Sequence, residues 1–384
     1  MNLIPPVLCR AGWLAAGLLA FGVAFEATAR VEDFIRYGMP LTAPYRSEVD
    51  LVVHDSLGIH GRPGAQYLKW ALNSIGTRGP EVPRHRAPGV LRVAATGASE
   101  TFGQSEAPGR EYPRQLEDSL RARLEAGGLA PFRSVEVLNV AFFGMSLPTA
   151  TQDVRLRIAG FEPQVVVLYP TSVQYLNDEP PTAVAPVRGS APAPDVWASL
   201  RPRAVLRLRE EVKRLAPLAW RELFWRAEVR RQQATHAAGW RYTSVPQDRV
   251  AAFEADLRAF VGAVRAIGAE PVLATHANRF VGGTVSDSSL LTAWERAYPR
   301  PEGQVLLAFD SVGAEVVRRV AADSGVALAD VRAALSGCVA CFADYAHFTD
   351  EGAARVAGTV ASALVAAAGP RTPVMSLPVA GSRR

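Results

Sequence analysis

From residue 89 onward the chain alternates short β-rich apolar runs with amphipathic helical stretches, and this alternation leaves few architectures open. "VLRVAAT" is a β-rich run. "EYPRQLEDSLRARLEAGG" follows, placing Leu116, Leu120 and Leu124 four apart on one face, with Pro113 near its start and Gly127-Gly128 at its stop. "SVEVLNVAFF" reads as a strand, "TQDVRLRIAGF" as a short helix, and "PQVVVLYP" as the continuous apolar run of a strand covered on both faces. Farther on, "RVAAFEADLRAFVGAVRAIGA" feeds "EPVLATH", and "VGAEVVRRVAADSG" feeds "VALADV". The repetition predicts an α/β fold with a mostly parallel sheet and helices on both sides.

The first 30 residues follow a different rule. Fifteen apolar or small residues run without interruption from Ala11 to Phe25, preceded by Arg10. An uncleaved anchor of roughly 20 apolar residues is reached if residues 3–25 span and Arg10 snorkels toward a headgroup. A cleaved signal peptide is the alternative, since Ala27-Thr28-Ala29 fits an A-x-A site, with Glu26 an awkward neighbour. The anchor is the favoured reading, and both readings export the rest of the chain. Cys9 precedes the apolar run, against a lipidation role. Cys338 and Cys341 in "GCVAC" most simply form a local disulfide in an exported protein, ahead of a free pair or a catalytic one.

The remaining boundaries follow from composition. Residues 31–88 are polar and punctuated by Gly and Pro, with one strand-like run, "EVDLVVHDS", and read as an ancillary segment or stalk. The α/β pattern occupies 89–366, interrupted over 179–247 by a Pro/Ala/Ser-rich stretch and then "RPRAVLRLREEVKRLAPLAWRELFWRAEVRRQQ", a helical insertion with a kink expected at Pro217. This insertion reads first as a solvated cover over the sheet, and otherwise as a basic, aromatic-bearing lid beside the substrate site or against anionic headgroups or polysaccharide. Residues 367–384 read as a disordered tail. The 384 residues carry a net charge of +5, but the arginines are spread and no aromatic-interleaved motif accompanies them, which excludes nucleic acid as the expected partner.

The turn "GASETFG" at 97–103 leaves the first strand of this pattern. Ser99 therefore sits at the carboxyl end of a parallel strand, where open α/β sheets place their ligands. Taken alone it reads first as a helix cap. A second cluster changes that balance: in "FADYAHFTDEGAARVAGTVASAL", Asp344 and His347 are three apart, just before a helix with Ala353, Val356, Ala357, Val360 and Leu364 on its core face and Thr349 or Asp350 as N-cap. That spacing lets the carboxylate fix the imidazole tautomer so that the other ring nitrogen can take a proton from a serine. His276 in "ATHANRF" follows a strand end and could face the cleft, but reads first as a polar loop residue. No phosphate loop or histidine cluster of metal-binding spacing appears, so no metal or organic cofactor is expected.

Together, "GASETFG" near the start and "DYAHFTDEG" near the end resemble the first and last signature blocks of the SGNH/GDSL hydrolase superfamily, over residues 89–366. The resemblance implies a three-layer flavodoxin-like α/β fold, with Ser99 as nucleophile, His347 as general base and Asp344 as its partner. It also makes "LNVAFFGMS" similar to the second block, with Asn139 at the asparagine position, Ala141 where a glycine is more usual, and Gly144 donating its N–H, with that of Ser99, to an oxyanion. The third block departs from the family: "TSVQYLND" puts Val173 where an asparagine side chain would complete the oxyanion site. Asn177, Ser172 or Thr171 is left to supply a donor, or the two N–H groups act alone. Loss of one donor costs about two to three powers of ten in rate.

These expectations amount to a membrane-anchored serine esterase with an extracytoplasmic (periplasmic) catalytic domain, or a secreted one if the leader is cut. Its form, with "LNSIGTRGPE", resembles SGNH proteins of cell-envelope or exopolysaccharide machinery. That likeness implies a small-molecule or polysaccharide ester substrate, with carbohydrate O-acetyl esters first by analogy. The alternatives are an O-acyltransferase using the same residues, or a weakly active SGNH-like domain that binds polysaccharide or a partner.

Overall fold

A computed structural model describes residues 6–43, 48–187, 202–215, 218–281 and 288–367. The chain begins with a long helix, α1 (Pro6–Tyr37). Two small hairpins follow, β1 (Val52–Asp55) with β2 (Gly58–Gly61), and β3 (Gln66–Tyr67) with β4 (Trp70–Ala71). The α/β pattern then supplies β5 (Val90–Gly97), β6 (Ser134–Asn139), β7 (Val165–Tyr169), β8 (Glu270–Ala274) and β9 (Ala327–Ala329). These five form one parallel sheet in the order β6-β5-β7-β8-β9. Counted within the sheet, that is 2-1-3-4-5, the flavodoxin-like order, whose ligand crevice opens between the first and third strands. The predicted α/β class and parallel sheet are both present.

Two helical layers cover the sheet. α3 (Tyr112–Glu125) and α11 (Asp350–Ala367) lie on one face, joined to a core that includes Leu116, Leu120, Val356 and Val360. α4 (Leu147–Leu156), α7 (Gln247–Ala266) and α9 (Gly303–Ser324) lie on the other, with Val154, Phe253, Leu257 and Phe309 in its core. β5 is buried along its whole length, Arg92 and Thr96 included, and β7 along all but Val165, as its uninterrupted apolar run requires. The short helices α2 (Ser99–Phe102) and α10 (Val331–Ala334) follow β5 and β9, and α8 (Ser288–Ala297) precedes α9.

The stretch after α1 packs on the α/β unit through a small third cluster, in which Leu51, Ala65 and Leu72 meet Phe102 and Ala141. Its main polar tie is Arg78. The backbone N–H of Arg78 donates to Asn139 O at 2.9 Å, and its buried guanidinium donates to the carbonyls of Phe102 and Gly103. Within 179–247 the described parts include α5 (Arg203–Leu215) and α6 (Leu218–Ala234). The Pro217 kink and the tail from 368 lie outside the described residues.

Candidate active site

The site forms where β5 ends. Gly97 holds a φ of +153°, and a Cβ there would come within 2.6 Å of the Tyr169 carbonyl on neighbouring β7, so a glycine is what lets the chain turn out of the sheet at this point. Ser99 then opens α2. The turn is held from below, where the Asn139 side chain donates to Thr101 O at 3.0 Å, and from the side by Arg78.

The late cluster arrives from the other end of the chain. Phe342 and Phe348 bridge the loop base, with Ala343 N–H donating to His347 O at 2.8 Å and Thr349 N–H to Cys341 O at 2.9 Å. Cys338 and Cys341 are joined in the disulfide expected from "GCVAC". Gly352, in the first turn of α11, packs directly on the Cys341 carbonyl, leaving no room for a side chain. The Thr349 hydroxyl accepts from Gly352 N–H, capping α11. Between these fixtures, Asp344 Oδ1 accepts from the backbone N–H groups of Ala346 and His347, both at 2.9 Å, and its Oδ2 lies 2.7 Å from His347 Nδ1. His347 Nε2 stands 2.9 Å from Ser99 Oγ. Three residues singled out in sequence thus form one continuous line of hydrogen bonds.

The charges follow from burial and these bonds. Burial works against the Asp344 carboxylate, but the His347 hydrogen bond and charge and the two N–H groups outweigh it and hold its pKa below the ordinary range. Burial likewise opposes protonation of His347, yet the Asp344 bond and charge, with Glu100 and Glu106 nearby, raise its pKa above the ordinary histidine value. An imidazole so placed donates through Nδ1 and offers Nε2 to the serine proton.

Beside the serine lies a cavity of about 100 Å³, whose lining includes Gly144, Thr171, Val173, Trp294, Tyr298 and Tyr345. Of the residues weighed for the third oxyanion donor, Ser172 and Asn177 are not brought to it. The Ser172 hydroxyl points to Asp310 Oδ1 at 3.5 Å, and Asn177 is exposed at the end of the turn that follows. Thr171 does reach the cavity, and its buried hydroxyl has no hydrogen-bond partner among the described residues.

One group at the site exceeds the sequence reading. His276 lies in the loop after β8 and faces the cleft, the second of its two sequence readings, as a buried wall of the same cavity. Its Nδ1 lies 2.6 Å from Asp310 Oδ1, and its Nε2 lies 3.4 Å from Glu100 Oε1, while Glu100 Oε2 accepts from Ser99 Oγ at 3.4 Å. Asp310 also takes Arg332 at 2.6 Å and Asn278 at 2.7 Å. Burial opposes the imidazolium, but the two flanking carboxylates prevail and push its pKa up to about 9. The sequence signal was position: His276 follows β8 at the same sheet edge as Ser99. Its partner Asp310 sits in the middle of a helix, where nothing local marks it.

No family model matches the chain, and a search of curated proteins found no match. Among solved structures it is similar to LAE5, an alpha/beta hydrolase enzyme from the metagenome of Lake Arreo, at 15% identity over 71% of this chain and 94% of that one, TM-score 0.41. It is also similar to Axe2, an acetylxylan esterase from Geobacillus stearothermophilus, at 14% identity, the same two coverages and a TM-score of 0.41. A candidate SGNH hydrolase from Slackia heliotrinireducens aligns at 16% identity over 72% of this chain and 99% of that one, TM-score 0.38. The sheet order, the strand-end serine and the Asp-x-x-His turn of this chain agree with the SGNH/GDSL resemblance that its sequence carries.

Proposed function

We infer that the protein is a serine ester hydrolase that passes short acyl groups through an acyl-enzyme at Ser99. The observation that carries this reading is the Ser99–His347–Asp344 line at 2.9 and 2.7 Å, located at the crevice of the sheet. Ser99 Oγ attacks the ester carbonyl and gives its proton to His347 Nε2, with Asp344 stabilising the imidazolium. The tetrahedral oxyanion is received by the N–H groups of Ser99 and Gly144 and by the Thr171 hydroxyl, the unpartnered donor that lines the cavity. Collapse breaks the bond to the alcohol, which leaves with the proton from His347. Water, deprotonated by His347, then attacks the acyl-serine, and the acid departs as Ser99 regains its proton.

The cavity of about 100 Å³, walled by Trp294, Tyr298 and Tyr345, favours an acetyl or similarly small acyl group. O-acetyl esters of envelope or exopolysaccharide carbohydrate are the substrate class we assign, on a catalytic unit held outside the cytoplasmic membrane by α1. Incubating the purified full chain with O-acetylated oligosaccharides and measuring released acetate tests this. Turnover that vanishes in Ser99→Ala supports the reading, whereas no release from any acetylated or short-acyl ester by a folded chain overturns it.

A further inference from the structure

Within α1, Gly12–Tyr37 is long and apolar enough to cross a membrane and is almost unburied. Its strictly apolar run, Ala11–Phe25, covers about 22 Å at 1.5 Å per residue. Beyond that run the helix changes character. Ala29 is only 4% exposed and Asp33 is buried, because α5 packs there. Glu26 accepts the backbone N–H of Ala204 at the start of α5, and Arg30 pairs with Glu26 at 2.7 Å. Asp33 takes Arg203 at 3.1 Å and also Arg207, which in turn reaches Glu32. The A-x-A triplet lies inside this joint, in helical backbone, with ion-paired residues on both sides. The joint therefore uses α1 residues that leader cleavage would separate.

The same joint leaves α5 facing outward in the unusual sense. Its Arg203, Ala204 and Arg207 side is turned to α1, while Val205, Leu208, Val212 and Leu215, spaced to form one stripe, are exposed, from 54% for Leu208 to 78% for Leu215. α6 continues the pattern with exposed Trp220, Leu223 and Phe224. The charge is equally local. Residues 203–231 hold nine Arg or Lys against four Glu, and with Arg203 and Arg207 paired to Glu32 and Asp33 of α1 an excess of three remains. An exposed apolar stripe in an arginine-rich segment that carries a tryptophan matches the interface of an anionic bilayer, where a helix lies with its apolar side buried about 5–10 Å among acyl chains and its cations among headgroups. A polyanionic polysaccharide would satisfy the arginines but leave the leucines in water.

We propose that α5 and α6 form a membrane-surface platform, docked in the plane of an anionic phospholipid bilayer and pinned to the uncut α1 anchor through Glu26, Glu32 and Asp33. The platform adds apolar contact beside α1. It also fixes the catalytic unit at the membrane surface in place of a free tether.

The test uses the full chain with Cys9→Ser, reconstituted in vesicles of phosphatidylglycerol and phosphatidylethanolamine, with a polarity-sensitive fluorophore on Leu215→Cys or, separately, on Phe224→Cys. A label on exposed Glu125→Cys at the end of α3 serves as the reference. Both platform labels are expected to shift to the blue and to lose several-fold more emission than the reference to nitroxide-bearing lipid. The intact mass is expected to retain α1. Quenching of both platform labels by aqueous iodide to the reference level overturns the proposal. So does protection that needs no lipid and grows with protein concentration, which assigns the stripe to a second copy, or recovery of a chain beginning at Arg30. None of these readouts depends on ester hydrolysis, so the two readings fail separately.

Discussion

His276 Nδ1 and Asp310 Oδ1 lie 2.6 Å apart in a pair that is 2% and 0% exposed, directly behind the residue next to Ser99. With Glu100 on its other nitrogen, the imidazole is held as a cation between two carboxylates, and Arg332 balances the second negative charge. In an unfolded chain the same histidine titrates near 6.5. Its contribution to stability is therefore complete below about pH 6.5 and is lost as pH rises through about 9, on the order of 3 kcal/mol in all. Glu106, pushed up to about 8 by burial, titrates with the same sign, so the comparison that isolates the imidazolium is with His276→Gln. Urea unfolding is expected to show a wild-type decline across that window that is flattened in the variant. Parallel pH profiles for the two proteins would contradict the buried cation.

In the proposed mechanism His347 is the general base, so its raised pKa is expected to set the acid limb of activity. The base must be neutral to accept the serine proton, so kcat/KM is expected to rise with pH through an apparent pKa above 6.5. Asp344→Asn removes the cause of that rise. It is expected to move the limb downward and to lower kcat by roughly a thousand- to ten-thousand-fold. A limb that stays in place in Asp344→Asn would mean that Asp344 does not govern the imidazole.

Thr171 is expected to act on the transition state and not on ground-state binding. Thr171→Val should lower kcat by about two powers of ten with little change in KM, and Thr171→Ser should retain most of the rate. Equal loss in both variants would point to packing and not to the hydroxyl.

Arg78 ties the segment before the sheet to the catalytic turn. Its guanidinium is buried against the Phe102 and Gly103 carbonyls, 3.4 Å from a buried Glu111 carboxylate. Arg78→Ala leaves that carboxylate without its cation and is expected to cost about 3–5 kcal/mol in denaturant unfolding, with loss of activity at temperatures where the protein remains folded. A stable and fully active variant would show that the N-terminal segment does not support the turn.

How much of this was legible in the sequence depended on whether the signal was local. β7 announced itself because it is buried on both faces, so its residues are apolar without alternation, and β5 through its β-rich composition despite the buried Arg92. Asp344 with His347 was legible through a spacing that one tight turn can satisfy, and Ser99, which alone reads first as a helix cap, only beside that second cluster. Thr171 could be weighed with Ser172 and Asn177 but not chosen, because the path of the loop after β7 decides that the Thr171 hydroxyl meets the cavity and the adjacent Ser172 hydroxyl meets Asp310. His276 lies in the loop after β8 and faces the cleft, both readable from its position, whereas its burial depends on Asp310 and Glu100, which are distant in the chain. The outward apolar face of α5 was visible only as composition, because the sequence did not show that α1 would take the arginine side.

The most direct measurement is the site of reaction with a fluorophosphonate, which phosphonylates a serine hydroxyl activated by a neighbouring base. A single adduct is expected by intact mass, mapped to the peptide containing Ser99, absent in Ser99→Ala and strongly slowed in His347→Ala. A well-folded wild-type chain that stays unlabelled, or an adduct that persists on another serine when Ser99 is replaced, would contradict it.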